Sequence, residues 1–309
     1  MAGAQARRVY RPTHRRVDAQ QLQQAIEEFE RRINDGEEDV EVVLATQIPV
    51  AKWTKSSTDR FRSVLIEARW FGRERFADLI ITKVRERADE CAVFEVSGQL
   101  GNYAKTYGDV LAGGGGNMNM QFPNNGARVI RRPDTALQPI LSTTGETPPA
   151  PRLNVEVEFS NRSISRAQTY TREYFDLIPQ LNAALLFKFF GCRADGTYAC
   201  VAILYRRTGN QVVVADQVSF GSADLADEAR KALDDCVPLR ALPVVPMPVP
   251  FESPWNAGDD PFVRIPGADV FDGALVPPTP EPASPPPGGF PDVVIDLWRI
   301  FRGVNFLWF

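Results

Sequence analysis

The sequence predicts an α/β (α+β) protein: a central mixed sheet flanked by helices, followed by a proline-rich C-terminal extension. Apolar and polar residues alternate strictly over 153–160 (LNVEVEFS), which is typical of a β-strand with one apolar face. Segments with helical spacing lie before and after it, at 18–34 and from Asn161 or Ser163 to about Ile178. With 309 residues, 44% of them hydrophobic and 24% charged, the chain has the composition of a globular protein.

Composition divides the chain into four parts. Residues 1–17 form a flexible basic arm, 18–236 an α/β domain, and 237–289 a linker in which proline excludes regular helices and ladders. Residues 290–309 regain apolar character and end in aromatic residues that are costly to leave in water. We expect this last segment to dock on the domain; the alternative is an anchor on a partner or a membrane surface.

The first half of the domain contains both helical and extended patterns. Leu22, Ile26, Phe29 and Ile33 have helical spacing after Asp18, which can serve as the N-cap. The pattern predicts a helix at 18–34, an extended segment at 39–50, a second helix capped at 56–59 and carrying the apolar residues of 61–71, a strand at 91–96, and a glycine-rich loop at 101–126. Residues 73–87 fit a strand or a helix.

The second half has clearer signals. An apolar strand is predicted at 183–190 (AALLFKFF), and a turn with an Asp-Gly signature follows at 193–197. Two further strands are predicted at 199–206 and 212–220, and an amphipathic helix at 222–235.

Composition also excludes several classes of function. His14 is the single histidine, which excludes Ser-His-Asp and Cys-His hydrolases and His-rich metal sites. A net charge of −4 provides no global field for nucleic acid, so any basic binding surface would be local. The four cysteines lack C-x-x-C spacing; we expect reduced thiols, and a Cys192–Cys200 bridge is the alternative.

The N-terminal arm bears on localisation. It lacks an apolar signal-peptide core, and no apolar run is long enough to span a membrane. We therefore expect an intracellular protein, cytoplasmic or nuclear. An organelle transit peptide is compatible with the Arg-rich arm.

Three carboxylates are candidate metal ligands. Asp134 follows a proline at the start of an extended run, and Glu156 and Glu158 share the polar face of the alternating strand. Hard oxygen ligands of this kind suit Mg²⁺. The alternative is that Glu156 and Glu158 line the solvent side of a half-exposed strand.

The order of elements around these residues resembles the PD-(D/E)XK nuclease superfamily, and specifically its Uma2-like restriction endonuclease branch. The residues that carry the resemblance are Pro133-Asp134, Pro151 to Val157 (PRLNVEV), Ser160, Tyr174, the LLFKFF strand and the closing IDLWRIF segment. The resemblance covers about 20–220 and that closing segment.

The resemblance implies a restriction-endonuclease-like sheet and a hydrolase that acts on DNA. Asp134 and Glu156, with Glu158 as a third ligand, would hold Mg²⁺ or Mn²⁺, which lowers the pKa of the attacking water. The family pattern has Lys two residues after Glu156, where this chain has Glu158. Lys188, Arg166 or Arg172 could supply the missing positive charge, with Lys188 assigned as the catalytic candidate. Glu27, Glu28 and Glu30 are candidates for an assisting helical glutamate.

Two further functions stay open. A catalytically inactive nuclease fold could bind a protein partner through the proline-rich and aromatic tail. The basic arm and the tail are also compatible with a structural assembly protein.

Overall fold

A computed structural model describes residues 19–34, 42–49, 64–70, 76–84, 87–107, 110–115, 120–124, 127–131, 133–141, 150–159, 162–193, 195–233, 236–276, 281–282 and 289–308. The chain folds into two compact units: residues 1–86 with 119–131 form unit 1, and residues 87–118 with 132–309 form unit 2. The single domain expected at 18–236 is therefore divided between two units, and unit 2 extends through the C-terminal segment. The predicted arm at 1–17 lies outside the described residues.

The described elements are helices and strands in mixed order. The helices are α1 (Ala19–Asn34), α2 (Arg87–Thr106), α3 (Ile164–Leu177), α4 (Asp227–Lys231), α5 (Gly267–Val270) and α6 (Leu297–Trp308). The strands are β1 (Val42–Pro49), β2 (Val64–Trp70), β3 (Phe76–Val84), β4 (Leu111–Gly115), β5 (Met120–Asn124), β6 (Ala127–Arg131), β7 (Thr135–Pro139), β8 (Leu153–Glu158), β9 (Ala183–Phe189), β10 (Ala199–Thr208), β11 (Gln211–Gly221), β12 (Arg240–Ala241), β13 (Phe262–Ile265), β14 (Leu275–Val276), β15 (Glu281–Pro282) and β16 (Val293–Asp296). Within the ranges given above, no helix combines the length and apolar character needed to cross a bilayer.

Unit 1 is a five-stranded antiparallel sheet in the order β1-β3-β2-β6-β5, packed against α1. The helix buries Leu22, Ala25 and Phe29, and its range confirms the helix predicted from the spacing of Leu22, Ile26, Phe29 and Ile33. The N-cap assigned to Asp18 lies outside the described residues.

The second predicted helix of unit 1 is wrong. Residues 64–70 form β2, which pairs with β3 and touches β6. Val64, Ile66 and Trp70 are β-branched or aromatic and favour a strand, while their neighbours happen to have helical spacing. The region left open at 73–87 is a strand over most of its length, β3.

Unit 2 is built on a seven-stranded mixed sheet in the order β12-β11-β10-β9-β8-β7-β4. Strands β4, β7 and β8 form an antiparallel meander, and β9 runs parallel to β8 after the α3 crossover. Strand β8 lies inside the sheet between β7 and β9, and all six of its residues are buried. The alternative that Glu156 and Glu158 line the solvent side of a half-exposed strand is therefore wrong, because helices cover both faces of the sheet.

Helix α2 covers one face of this sheet. The prediction of a strand at 91–96 is wrong, because Ala88, Ala92, Val96 and Leu100 recur every four residues and form one buried helical stripe. They belong to the same core as Leu153, Val155 and Val157 of β8.

The predicted glycine-rich loop at 101–126 is also wrong. Its first residues complete α2, and its glycine run forms β4, which pairs with β7. A Cβ added to Gly113 would lie 3.4 Å from the Cα of Gly101, so glycine allows this strand to approach the helix closely.

Helix α3 covers the opposite face of the sheet. It matches the predicted helix, and Ser163 is its N-cap, accepting a hydrogen bond from the Arg166 N–H. Strands β9, β10 and β11 match the predicted strands, and the turn between β9 and β10 has Gly196 at φ 79°. Helix α4 is much shorter than the predicted 222–235. Cys192 and Cys200 are not joined by a disulfide.

The C-terminal segments pack into the core of unit 2. Their buried residues are Leu242, Val245, Trp255, Val263, Ile265, Val270, Phe271, Ala274, Val293, Ile295, Leu297, Trp298, Ile300, Phe301 and Val304. This packing differs from the exposed linker expected at 237–289, because Leu242 and Val245 turn inward while Pro243 and Pro246 stay exposed. Residues 277–280 and 283–288 of that range are outside the described part. Helix α6 packs against α2.

Candidate functional site

Strand pairing brings Asp134 and Glu156 together. Strands β7 and β8 are antiparallel with Thr135 opposite Val155, so the next residues in register are Asp134 and Glu156. The Oδ2 of Asp134 accepts the backbone N–H of Val157 at 2.9 Å. The Asp134 carboxylate thus replaces a ladder hydrogen bond at the point where β7 begins.

Lys188 lies on the same face of the sheet as both glutamates. The parallel register of β8 and β9 places Glu156 beside Leu186 and Glu158 beside Lys188. The Lys188 Nζ donates to the Phe159 carbonyl at 2.8 Å, and only 2% of the residue is exposed. The ammonium group therefore ties the end of β8 to β9.

Helix α3 covers this face with two tyrosines. The Tyr174 hydroxyl donates to Glu156 Oε1 at 2.6 Å, and the Tyr170 ring stands edge-on to the Tyr174 ring at 5.6 Å. Burial, reinforced by the negative charge of Glu156, raises the pKa of Tyr174 well above its usual value. Tyr174 is therefore a protonated donor that holds one oxygen of Glu156.

Arg162 completes the set of charged groups. Its guanidinium donates to Glu158 Oε2 at 2.8 Å, with 7% and 2% of the two side chains exposed. It also lies 4.2 Å from the centre of the Tyr170 ring. The sequence reasoning missed Arg162; the available signal was an arginine four residues after Glu158 and directly before the N-cap of α3.

Two side chains on this face of β8 carry buried polar atoms without a hydrogen-bond partner among the described residues. One is Glu158, whose Oε1 is unmatched although Oε2 binds Arg162. The other is Asn154, in which both amide atoms are unmatched; its neighbours in register, Ala136 and Ala184, are small. Buried polar groups without partners are rare in proteins and concentrate at functional sites.

The donor set fits a divalent cation held by two carboxylates. This face of the sheet carries two cationic side chains, Lys188 and Arg162, and three carboxylates: Asp134, Glu156 and Glu158. Two positive charges minus three negative charges give the face a formal charge of −1. In the described part of the chain, no three Asp, Glu, His or Cys side chains are grouped as metal ligands. Mg²⁺ commonly takes only one or two carboxylates and completes its shell with water and phosphate. The pair Asp134 and Glu156 meets that requirement.

Glu27, Glu28 and Glu30 are exposed on α1 of unit 1, and their assisting role stays a prediction. Arg166 and Arg172 are exposed on α3, and the Arg172 guanidinium lies 5.2 Å from the Tyr205 ring centre. The cations next to the carboxylates are therefore Lys188 and Arg162.

Comparison with known proteins adds no family: no protein-family model matches the chain, and no curated protein matches it.

Proposed function

We propose that unit 2 is a metal-dependent phosphodiesterase domain of the DNA endonuclease type, with Asp134 and Glu156 holding Mg²⁺ or Mn²⁺. The observation that carries the proposal is the register of β7 and β8, which sets these carboxylates opposite one another. Each carboxylate also has a protein donor, the Val157 N–H for Asp134 and the Tyr174 hydroxyl for Glu156. Ligands of metal sites are commonly oriented by such hydrogen bonds.

The order of elements in unit 2 supports a nuclease-like fold. Helix α2 precedes the meander of β4, β7 and β8, Asp134 stands at the start of β7, and α3 leads to the apolar strand β9 and its hairpin. From Asp134 onward this is the order on which the resemblance to the PD-(D/E)XK superfamily rests, whereas the first helix of that resemblance is α1 of unit 1.

The site residues divide the work of phosphodiester hydrolysis. A bound divalent ion would polarise the phosphate and activate water. Asp134 and Glu156 would fix its position, and Tyr174 prevents Glu156 from rotating away. Lys188 and Arg162 supply positive charge near the phosphate oxygens, where it stabilises developing negative charge. A role for Glu158 as a third metal ligand stays a prediction.

A metal titration tests the proposal. Mn²⁺ should raise the melting temperature of the wild type, because saturation at 100 times Kd contributes about 2.7 kcal/mol. Asp134→Asn keeps an oxygen to accept the Val157 N–H but loses the charge, and should abolish the rise. Asp176→Asn, an exposed position on α3, is the matched control and should respond like the wild type. Labelled duplex DNA measures cleavage by the same three proteins.

A second candidate is an inactive nuclease fold that binds a protein partner. Two observations favour it. All three carboxylates already have protein donors, and three apolar side chains of the proline-rich segment are exposed: Val244, Met247 and Phe251. The absence of both a Mn²⁺ effect and DNA cleavage in the wild type would overturn the first proposal in favour of this one.

A further inference from the structure

We infer that Asn154 is a positioning residue of the proposed cation site, and that its amide oxygen holds a water molecule in the shell of the ion bound by Asp134 and Glu156. This role rests on the proposed phosphodiesterase function. It adds an uncharged side chain to a site that otherwise consists of carboxylates, cations and tyrosines.

Strand register places Asn154 next to both carboxylates. Asn154 lies opposite Ala136, and the adjacent pair on the same face is Asp134 and Glu156. Three corners of this four-residue patch therefore carry side chains with an oxygen acceptor, and the fourth corner is an alanine. Side chains on a sheet stand roughly perpendicular to it, and Ala136 ends at its Cβ. The alanine therefore takes up the least space between the three polar groups.

The Asn154 amide is buried, and neither of its polar atoms has a hydrogen-bond partner among the described residues. Only 1% of the residue is exposed, and both Oδ1 and Nδ2 are unmatched. Its neighbour on β9, Ala184, has no polar side-chain atom. A buried polar group left in this state costs about 1–3 kcal/mol. A leucine, which branches at the same carbon, would avoid that cost, so a ligand explains the amide better than packing does.

Spacing along β8 indicates contact through a water molecule rather than direct ligation. Asn154 and Glu156 are two residues apart, so their Cα atoms are about 6.7 Å apart at a rise of about 3.3–3.4 Å per residue. Two oxygens bound to one Mg²⁺ lie at most about 4.2 Å apart, because each bond measures about 2.0–2.1 Å. Mg²⁺ usually keeps several waters in proteins, and one of them can bridge this difference.

A neutral acceptor suits this position. The water of a metal shell donates its O–H groups, and the amide oxygen of Asn154 can accept one without adding charge to a face that already carries −1. The cations beside the carboxylates, Lys188 and Arg162, are donors only. Neither orientation of the Asn154 amide breaks a hydrogen bond to a described residue, so Oδ1 is able to turn toward Glu156.

The experiment compares wild type with Asn154→Leu, Asn154→Asp and the control Thr171→Val. Mn²⁺ affinity is measured by electron paramagnetic resonance, and stability without metal is measured by urea denaturation. Asn154→Leu should bind Mn²⁺ about 10–100 times more weakly than wild type, the usual cost of losing a group that orients a metal ligand. Its stability without metal should equal or exceed that of wild type, because an unmatched buried amide is replaced by an apolar group.

The other two variants separate this role from a structural one. Asn154→Asp keeps an oxygen acceptor and should bind Mn²⁺ at least as tightly as wild type, and it tests the assignment if Asn154→Leu does not fold. Thr171→Val removes a buried hydroxyl of α3 that donates to the Ala167 carbonyl at 2.9 Å. It should lower stability but leave Mn²⁺ affinity unchanged.

Three results would overturn the assignment of Asn154. One is Mn²⁺ affinity in Asn154→Leu equal to that of wild type. Another is weak Mn²⁺ binding by a folded Asn154→Asp, since the oxygen acceptor is still present. The third is an equal loss of affinity in Asn154→Leu and Thr171→Val, which would indicate disturbed packing. If wild type itself takes up no Mn²⁺, the proposed function is overturned first, and the inference falls with it.

Discussion

Arg162 and Glu158 form an ion pair almost entirely removed from solvent. Removing one partner of such a pair leaves an uncompensated buried charge, which typically costs about 3–5 kcal/mol. We expect Arg162→Met to lower the free energy of unfolding by about that amount. Urea denaturation measures the change, and the exposed Arg166→Met, expected within about 0.5 kcal/mol of wild type, is the control.

A double variant distinguishes the contribution of the Arg162–Glu158 ion pair from the cost of leaving one buried charge without a partner. Glu158→Gln/Arg162→Met has no buried charge at these two positions, so it should unfold at a higher urea concentration than Arg162→Met. A double variant less stable than Arg162→Met alone would contradict this explanation and would indicate that packing of the Arg162 stem dominates.

Tyr174 should make stability depend on pH in alkaline solution. Burial and the charge of Glu156 raise its pKa in the folded state, so the unfolded chain releases this proton first, near pH 10. Below pH 10 both states are protonated and the contribution is constant. Above pH 10 the folded state binds more protons, and the free energy of unfolding falls by about 1.4 kcal/mol per pH unit for this group.

Urea denaturation of Tyr174→Phe between pH 8 and pH 11 tests this linkage. The variant should be less stable at pH 8, because Glu156 loses a donor, and its stability should fall less steeply above pH 10. Equal slopes in the variant and the wild type would show that Tyr174 does not hold its proton. Tyr103 and Tyr198 also have raised pKa values, so a residual slope is expected.

At the residue scale, the sequence was informative about which carboxylates share a face but not about what surrounds them. Asp134 next to proline and the alternation around Glu156 predicted their strands. The burial of Glu158 and its pairing with Arg162 depend on how α3 crosses the sheet, and no local pattern encodes that crossing. Lys188 was placed in an apolar strand correctly, and its bond to the Phe159 carbonyl follows from the parallel register.

At the element scale, α3 is held at both ends by side chains. Ser163 caps its start, and the Arg207 guanidinium from β10 donates to the carbonyls of Phe175, Ile178 and Leu181 at its C-terminal end. A cation at this end also interacts favourably with the helix dipole. Because α3 carries the tyrosines that cover the carboxylates, its anchoring affects the site.

We expect Arg207→Met to lower the free energy of unfolding by about 1.5–3 kcal/mol, as for loss of hydrogen bonds from a charged donor. Arg172→Met, an exposed arginine on α3, is the control and should have a much smaller effect. Chemical denaturation measures both. An Arg207→Met variant as stable as the control would show that water replaces the guanidinium at these carbonyls.

Elements whose apolar residues follow one clear periodicity were predictable from the sequence. Elements whose apolar residues fit both a helical and a strand periodicity were not. Helix α3 and strands β8 and β9 follow their patterns closely. The segment at 91–96 contains Val93 and Val96 and suggests a strand, yet its alanines continue a helical stripe that becomes visible only over the full length of α2. The glycines of β4 suggested a loop, because no local sequence pattern shows that this segment packs closely against α2.

At the scale of the whole molecule, the C-terminal segment completes the core of unit 2. Trp255 and Trp298 pack edge-on at 5.6 Å, and Phe301 stacks at 5.4 Å with Tyr198, the residue before β10. The Arg240 guanidinium joins Asp216 of β11 at 2.7 Å and the Phe262 carbonyl at 2.8 Å. The density of prolines did not predict this packing. Proline lacks the backbone N–H that a sheet hydrogen bond needs, but the residues between prolines can still be buried.

Deletion of residues 237–309 should therefore unfold unit 2 rather than release a free binding module. The deletion removes α6, which packs against α2, and takes Ile295, Phe301 and Val304 out of the buried core; large apolar losses of this kind exceed the usual stability of a domain. Circular dichroism and cooperative melting measure the outcome for unit 2. The single substitution Ile295→Ala should cost about 2–5 kcal/mol. Phe251→Ser, at an exposed position of the same segment, should leave melting unchanged. A deletion that still melts cooperatively, with near-native helix and strand content, would show that unit 2 folds on its sheet alone and would return residues 237–309 to the role of a detachable tail.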